Sequence, residues 1–293
     1  MKANPPCFVA LGRYGDIIQL MPAFREIYQR TDLKPVVIVS SRYANVLEGV
    51  SYVRIHPINC DWWRGIPLAY RIAQEVYGGG VVPQWWHLPK NEAGVVDNPG
   101  GIILQSHGEK WGVDISKWPN YGTSMWDRAG FTVEEMMTLP LIFDRRDWVR
   151  EKELVAKHRR TKKPMFLVNY TGQSSPFAPM PEIHRVVMEF SDYFEIVDLG
   201  IVQGVRIYDL LGFMDRAAGM LTIDTSTLHL APASKVPYIA YTVNGWCSSV
   251  PKGNCITEIK YNDSIRRLDH LRLTLQQLKS NCEVRKDRQL ATA

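Results

Sequence analysis

Two short polar segments near opposite ends of the sequence carry the residue types from which a reaction site can be built. Residues 12–16 form a glycine-bearing turn that ends in the carboxylate of Asp16. Residues 224–229 contain an aspartate, three hydroxyl side chains and a histidine. A carboxylate can take a proton from an attacking hydroxyl group, whereas hydroxyl and backbone N–H groups can bind a phosphate. The pattern therefore suggests proton transfer at one segment and anion binding at the other.

Each segment also has a purely structural interpretation. Asp16 can act as the N-cap of a following helix, and Asp224, Thr225 and Ser226 are all residue types that favour N-cap positions. Capping preferences alone would explain these residues, so spacing by itself does not separate the two interpretations.

The first polar segment lies between a predicted strand and a predicted helix. Residues 7–11 have the apolar pattern of a buried strand, and apolar residues recur at helical spacing over 17–30. Further strands are predicted over 35–40 and 51–56, with a short helix from Ser41 between them. Strands and helices that alternate at this spacing indicate a doubly wound α/β domain.

The second polar segment belongs to a repeat of the same rhythm. Strands are predicted over 165–170, 194–198, 220–224 and 236–241, and helices from Pro181, from Thr225 and over 268–278. Ligands bind at the carboxyl ends of parallel strands, so we expect a ligand cleft between two such sheets.

A linker separates the two predicted domains. A charged helix over about 144–160 ends in a basic, proline-terminated stretch at 159–164. The sequence therefore predicts an N-terminal Rossmann-like domain over 1–160 and a C-terminal one over 161–293.

The composition excludes several classes of protein. The 293 residues are 45% hydrophobic with a net charge of +5, which excludes a disordered chain and permits an anionic ligand. Neither a signal-peptide pattern nor an apolar stretch of about 18–20 residues occurs. The five cysteines are dispersed and form no C-x-x-C pair, so we expect neither a disulfide framework nor a zinc site. A reducing cytoplasm fits this pattern best.

Two motifs resemble those of a known family. Residues 224–231 and 234–237, Asp-Thr-Ser-Thr-Leu-His-Leu-Ala and Ser-Lys-Val-Pro, resemble the signature of the family-nine glycosyltransferases, the heptosyltransferase-like group. Residues 15–25 are similar to the N-terminal motif of that family, Gly-Asp-x-Ile-x-x-x-Pro-x-x-Arg. The motifs occur in the right order, about 200 residues apart. Residues from about 57 to 135 show no such resemblance.

The resemblance implies a GT-B fold, with two Rossmann-like domains facing a cleft, and sugar transfer from a nucleotide-diphosphate sugar. The C-terminal domain would bind this donor, and Asp16 would deprotonate the acceptor hydroxyl from across the cleft. The sequence has no Asp-x-Asp motif and no metal-ligand spacing, which favours an inverting displacement without a metal ion or added cofactor. The implied donor residues are Asp224, Thr225, Ser226, Thr227, Leu228 and His229, and the implied N-terminal loop is Gly12, Arg13, Tyr14 and Gly15.

The sequence departs from the family at two donor positions. Ser226 replaces the glycine of the motif, and the loop over 171–176 lacks the lysine that many members place there. Hydroxyl groups could replace that lysine as phosphate ligands, and a compensating cation could come from Arg13 or Lys235. The hydroxyl donors in this loop are Thr171, Ser174 and Ser175.

A tryptophan- and glycine-rich insert at about 57–130 interrupts the first domain and holds seven of the nine tryptophans. Apart from a strand at 101–106 it is predicted to be irregular, and loops of such length are usually functional. Aromatic rings stack on sugars or on nucleic-acid bases, and the N-terminal domain of GT-B enzymes generally supplies acceptor contacts. The candidate acceptor residues are Trp62, Trp63, Trp85, Trp86, His107 and Trp118.

The acceptor and the activity each leave alternatives. The acceptor is either a glycan or a hydroxymethylated base in DNA, as in some phage enzymes. The DNA alternative is supported by basic runs such as 159–163, although a solvated surface also explains them. Other interpretations are a sugar-nucleotide epimerase or hydrolase, and an inactive sugar-nucleotide-binding module.

Overall fold

Two compact units, Met1–Arg146 and Asp147–Ala293, divide the chain. Each is built on a parallel β-sheet, which confirms the predicted α/β class. The computed structural model describes residues 5–60, 65–79, 125–127, 129–172, 177, 179–204, 206–244 and 249–291.

The first unit contains three parallel strands in the order β1-β2-β3 within the described residues. Every residue of β1 and β2 is buried, as the continuous apolar runs predict for parallel strands. The strands are β1 (Cys7–Val9), β2 (Val36–Ser40) and β3 (Arg54–Ile58). The helices are α1 (Tyr14–Thr31), a 3₁₀ helix (Ala44–Gly49), α2 (Ile66–Tyr77) and α3 (Val133–Thr138).

Three sequence predictions for this unit are wrong in detail. Helix α1 begins at Tyr14 instead of residue 17, and β3 ends at Ile58, two residues beyond the predicted strand. Helix α2 occupies part of the insert that was predicted to be irregular. It forms there because Ala69 and Ala73, one helical turn apart, pack into the same apolar cluster as β1.

The second unit contains five parallel strands in the order β5-β4-β6-β7-β8. The strands predicted over 165–170, 194–198, 220–224 and 236–241 and the helices predicted from Pro181 and Thr225 are confirmed to within three residues. A helix at Leu211–Met214 and a strand at Cys255–Lys260 were not predicted, and the last helix is longer than the predicted 268–278. The strands are β4 (Met165–Asn169), β5 (Glu195–Asp198), β6 (Ala217–Ile223), β7 (Tyr238–Thr242) and β8 (Cys255–Lys260). The helices are α4 (Trp148–His158), α5 (Met180–Met188), α6 (Leu211–Met214), α7 (Ser226–Leu230) and α8 (Leu268–Ala291).

Helix α4 packs within the second unit, so the division of the chain falls before this helix and not after it. Gly212 of α6 approaches α4 so closely that an added Cβ would lie 2.7 Å from the Cβ of Glu151. The Arg206 guanidinium lies 3.9 Å from Asp147, just before the helix. The basic stretch that suggested a linker instead forms a turn after α4. Among the described helices, none has the length and apolar character needed to span a membrane.

Candidate functional site

The strand order of the second unit places a topological switch point between β4 and β6. After β4 the chain turns to β5 on one side, and after β6 it turns to β7 on the other. In doubly wound sheets of this order, ligands bind in the crevice that the diverging connections open at the carboxyl ends of the strands. The connections after β4 and β6 begin at Tyr170 and Asp224. The predicted donor residues 224–229 therefore lie at the switch point.

A buried polar network joins the two connections. The Asn169 side-chain amide donates to the Thr227 hydroxyl at 2.9 Å, and the Thr222 and Thr227 hydroxyls are 2.6 Å apart. The Asn169 carbonyl oxygen accepts from the backbone N–H of Thr171 at 3.0 Å and from its hydroxyl at 3.1 Å. Asn169, Thr222 and Thr227 are all buried. The network therefore fixes the loop that carries Thr171 against the first turn of α7.

The first turn of α7 presents backbone N–H groups beside this network. Its N-cap, Thr225, is extended, with φ −150° and ψ 179°, and its side chain makes no capping hydrogen bond. The Leu228 N–H donates to the Thr225 carbonyl at 3.0 Å, so the turn itself uses that group. The N–H groups that begin a helix have no partner within it, which leaves those of Ser226 and Thr227 as the ligand-binding candidates.

Serine at position 226 fits the backbone of this turn. Among the described residues, Asp32 is the sole non-glycine residue with a positive φ. Ser226 therefore does not need the left-handed conformation for which glycine is preferred. The departure from the family's glycine changes the side chain without straining the turn.

A second cluster links Asp224, Ser249 and His229. The Ser249 N–H donates to Asp224 Oδ2 at 3.0 Å, and the Ser249 hydroxyl donates to Asp224 Oδ1. The Ser249 Oγ also lies 3.2 Å from Nε2 of His229. Burial lowers the pKa of His229 to about 4, although the Asp224 charge acts in the opposite direction. The imidazole is therefore neutral at pH 7.

Lys235, one of the two cations suggested to replace the missing lysine, lies away from the switch point. Residue 235 precedes β7, and Tyr238, the first residue of β7, pairs with Met220 of the parallel strand β6. Lys235 therefore lies toward the amino edge of the sheet, opposite to the carboxyl edge where Asp224 lies. At the carboxyl edge, the Lys260 ammonium is already paired, 2.6 Å from Glu258 and 2.9 Å from the Thr242 hydroxyl.

In the first unit, Asp16 lies in the first turn of α1, just beyond the carboxyl end of β1. Tyr14, Gly15 and Asp16 are helical, so only Gly12 and Arg13 of the predicted loop precede the helix. The Arg13 N–H donates to Asp16 Oδ2 at 2.9 Å, and the Asp16 side chain is half-buried. This hydrogen bond orients the carboxylate, which is a group that can act as a general base.

The tryptophans of the insert divide into described and undescribed residues. Trp126 is 1% exposed, and its indole N–H donates to the Gln19 carbonyl of α1 at 3.2 Å. This tryptophan belongs to the core of the first unit. The remaining predicted residues, Trp62, Trp63, Trp85, Trp86, His107 and Trp118, and Ser174 and Ser175 of the donor loop, lie outside the described residues.

Comparisons of the sequence alone identify no relatives, since no family model and no curated protein matches it. The structure matches solved glycosyltransferases over most of its length. ADP-heptose lps heptosyltransferase II of E. coli superposes with a TM-score of 0.63 at 11% identity, covering 95% of this chain and 99% of that one. The chain has the GT-B fold.

Two further GT-B structures match this chain over similar lengths. The glycosyl transferase family 9 protein of Veillonella parvula superposes with a TM-score of 0.59 at 12% identity, covering 92% of this chain and 90% of that one. E. coli heptosyltransferase WaaC, solved with ADP-2-deoxy-2-fluoro heptose, gives 0.51 at 11% identity, with 91% and 99% covered. The fold that the two sequence motifs predict is thereby confirmed.

Proposed function

We propose that this protein is a glycosyltransferase that moves a sugar from a nucleotide-diphosphate sugar to an acceptor hydroxyl. The observation that carries the proposal is that the sequence motif of the second unit lies at the ligand-binding edge of its sheet. The motif at 224–231 begins at the topological switch point of the sheet, and a buried hydrogen-bond network ties it to the neighbouring loop. A GT-B fold and a ligand-binding edge of this kind together favour nucleotide-sugar chemistry.

The donor diphosphate binds mainly through neutral hydrogen-bond donors. Backbone N–H groups of Ser226 and Thr227, with the hydroxyls of Thr171 and Ser226, can meet the phosphate oxygens and stabilise the leaving diphosphate. His229 contributes no charge at neutral pH because its pKa is low. Fixed N–H dipoles therefore replace the loop lysine of other family members.

Asp16 is the proposed general base. As the acceptor oxygen attacks the anomeric carbon, the bond from that carbon to the diphosphate breaks and the acceptor proton passes to the Asp16 carboxylate. The reaction inverts the configuration at the anomeric carbon and passes through no covalent enzyme intermediate. Support comes from the place of Asp16 after β1 and from the Arg13 N–H that orients its carboxylate.

A glycan is the favoured acceptor. The basic stretch at 159–163 suggests DNA, but two of its four basic side chains bind the protein's own backbone. The Arg159 guanidinium donates to the Thr161 carbonyl at 3.1 Å, and the Lys163 ammonium donates to the Ser191 carbonyl at 2.9 Å. The Glu195 carboxylate accepts the Thr161 N–H at 3.0 Å, which closes the turn. These contacts give the stretch a structural role.

A ligand panel followed by product analysis tests the proposal. Nucleoside diphosphates and their sugars are screened by thermal shift, where a ligand at 100 times its Kd stabilises the folded chain by about 2.7 kcal/mol. The stabilising sugar nucleotide is then incubated with and without glycan acceptors. We expect donor consumption that depends on an acceptor. Consumption without any acceptor would indicate a hydrolase or epimerase, and salt-sensitive DNA binding would indicate a DNA acceptor.

A further inference from the structure

Ser249 connects two segments of the second unit that are far apart in the sequence. It lies 25 residues after Asp224, yet both its N–H and its hydroxyl bind the two oxygens of that carboxylate. Because Asp224 directly follows β6, Ser249 fastens the segment before β8 to the turn that begins α7. Its hydroxyl oxygen also meets the His229 ring, which α7 carries on the same turn.

The direction of each hydrogen bond in this chain follows from its chemistry. A carboxylate can only accept, so the single hydroxyl proton of Ser249 is directed at Asp224. The Ser249 oxygen then has only lone pairs to offer Nε2 of His229, 3.2 Å away. Nε2 must therefore carry a proton. A neutral imidazole has one N–H proton, so Nδ1 is a hydrogen-bond acceptor.

Two opposing effects act on the charge of the His229 ring. Burial disfavours the imidazolium, whereas the Asp224 charge favours it, and burial has the larger effect on the pKa of His229. The ring is therefore neutral at pH 7, and its one proton is the proton on Nε2.

We infer that Ser249, held by Asp224, keeps the single proton of the neutral His229 ring on Nε2, and that Ser249 is a positioning residue of the donor turn. The role in donor binding rests on the proposed function, whereas the tautomer is a property of the ligand-free chain. Two consequences follow for a bound diphosphate. His229 adds no positive charge beside the diphosphate, and titration of His229 causes no change in the affinity for the diphosphate near pH 6.5.

Nitrogen-15 NMR of histidine-labelled protein tests the tautomer directly. Long-range ¹H–¹⁵N correlation spectra separate Nε2–H, Nδ1–H and doubly protonated rings, and His229→Gln assigns the signal. We expect a pure Nε2–H ring for His229 at pH 7, retained in Ser249→Thr and replaced by a tautomer mixture in Ser249→Ala. An Nδ1–H ring or an imidazolium in the unsubstituted protein would overturn the inference. This measurement uses the unsubstituted protein, so the inference can be refuted even if Ser249→Ala does not fold.

Titration with ADP as the probe tests the positioning role. We expect ADP to bind Ser249→Ala about tenfold more weakly than the unsubstituted chain, with Ser249→Thr restoring most of the affinity. Equal affinity in all three proteins would refute positioning by Ser249. If neither ADP nor any other diphosphate binds the unsubstituted chain, the proposed function and the positioning role both fail, while the NMR result still decides the tautomer.

Discussion

Arg13 and Asp16 in the first unit repeat the local arrangement of Arg206 and Asp209 in the second. In each pair the aspartate carboxylate accepts the backbone N–H of the arginine three residues earlier, at 2.9 Å and 3.1 Å respectively. Each aspartate thereby stabilises the start of a helical segment, α1 in one case and a 3₁₀ helix (Ile207–Leu210) in the other.

The surroundings of the two carboxylates differ. Asp209 is fully buried, and its second oxygen accepts two hydrogen bonds from the Arg206 guanidinium, at 2.8 Å and 3.1 Å. Asp16 is only half-buried and lies just after the carboxyl end of β1. The same Arg-x-x-Asp spacing therefore supports a structural ion pair at one place and a candidate base at the other. Position on the sheet and exposure, not spacing, separate the two roles.

The largest effect should come from Asp16→Asn. The asparagine oxygen can still accept the Arg13 N–H, so the helix start is kept while the proton acceptor is lost. We expect transfer to fall about 10²- to 10⁴-fold, as for the loss of a general base, with an unchanged unfolding midpoint. Turnover and thermal unfolding measured on one preparation check this. Turnover within a factor of three of the original would remove Asp16 as the base.

The matched substitution Asp209→Asn should reverse that pattern. It leaves the half-buried Arg206 guanidinium without the buried carboxylate that accepts its two hydrogen bonds, which costs about 2–3 kcal/mol. Thermal unfolding should show a clear drop in midpoint, while kcat per folded molecule stays the same. A loss of kcat without a loss of stability would contradict the structural role given to Asp209.

The pH dependence of stability should reflect the second unit through His229. Its folded pKa, about 4, lies below the ordinary 6.5, so the unfolded chain takes up a proton first as the pH falls. The free energy of unfolding should decrease between pH 6.5 and 4, by about 3 kcal/mol from this residue. Denaturant melts across this window should show a smaller decrease in His229→Gln. An equal decrease in the free energy of unfolding for the two proteins would refute the low pKa of His229 in the folded chain.

A smaller effect is expected from Thr227→Val, which removes one hydroxyl and keeps the side-chain shape. It takes away the acceptor of the Asn169 amide, and a buried unsatisfied group costs about 1–3 kcal/mol. The control in the first unit is Thr31→Val. The exposed Thr31 hydroxyl donates to the Ile27 carbonyl and accepts the Leu33 N–H, and water can replace it at both, so its loss should cost under about 0.5 kcal/mol. If urea denaturation gives Thr227→Val and Thr31→Val the same loss in free energy of unfolding, the buried network does not stabilise the switch point specifically.

Sequence patterns predicted the elements that are buried throughout. β1, β2, β4 and β7 are continuous apolar runs, as strands covered on both faces should be. β8 was missed because Ile259 is its one buried residue and the strand carries the charged residues Glu258 and Lys260. The start of α1 was misplaced because its N-cap is Arg13, a residue type that gives no capping signal.

The candidate site was predictable only where its residues are contiguous. Residues 224–229 form one sequence motif, whereas Asn169 and Ser249 reach it through tertiary contacts across 58 and 25 residues. Neither had a local signature, since a buried asparagine at a strand end and a serine in a loop are common. Their roles follow from the parallel pairing of β4 with β6, which brings the carboxyl ends of the two strands together.

Binding of ADP to two variants of equal charge change tests the central claim, that the donor diphosphate binds at the carboxyl edge of the second sheet. Ser226→Asp adds a negative charge at the start of α7, where acidic residues are tolerated, and Lys235→Gln removes a positive charge toward the amino edge. By isothermal titration calorimetry, we expect Ser226→Asp to weaken ADP binding at least tenfold and Lys235→Gln to leave it within a factor of two. Equal affinities, or a larger loss in Lys235→Gln, would contradict the placement of the donor site.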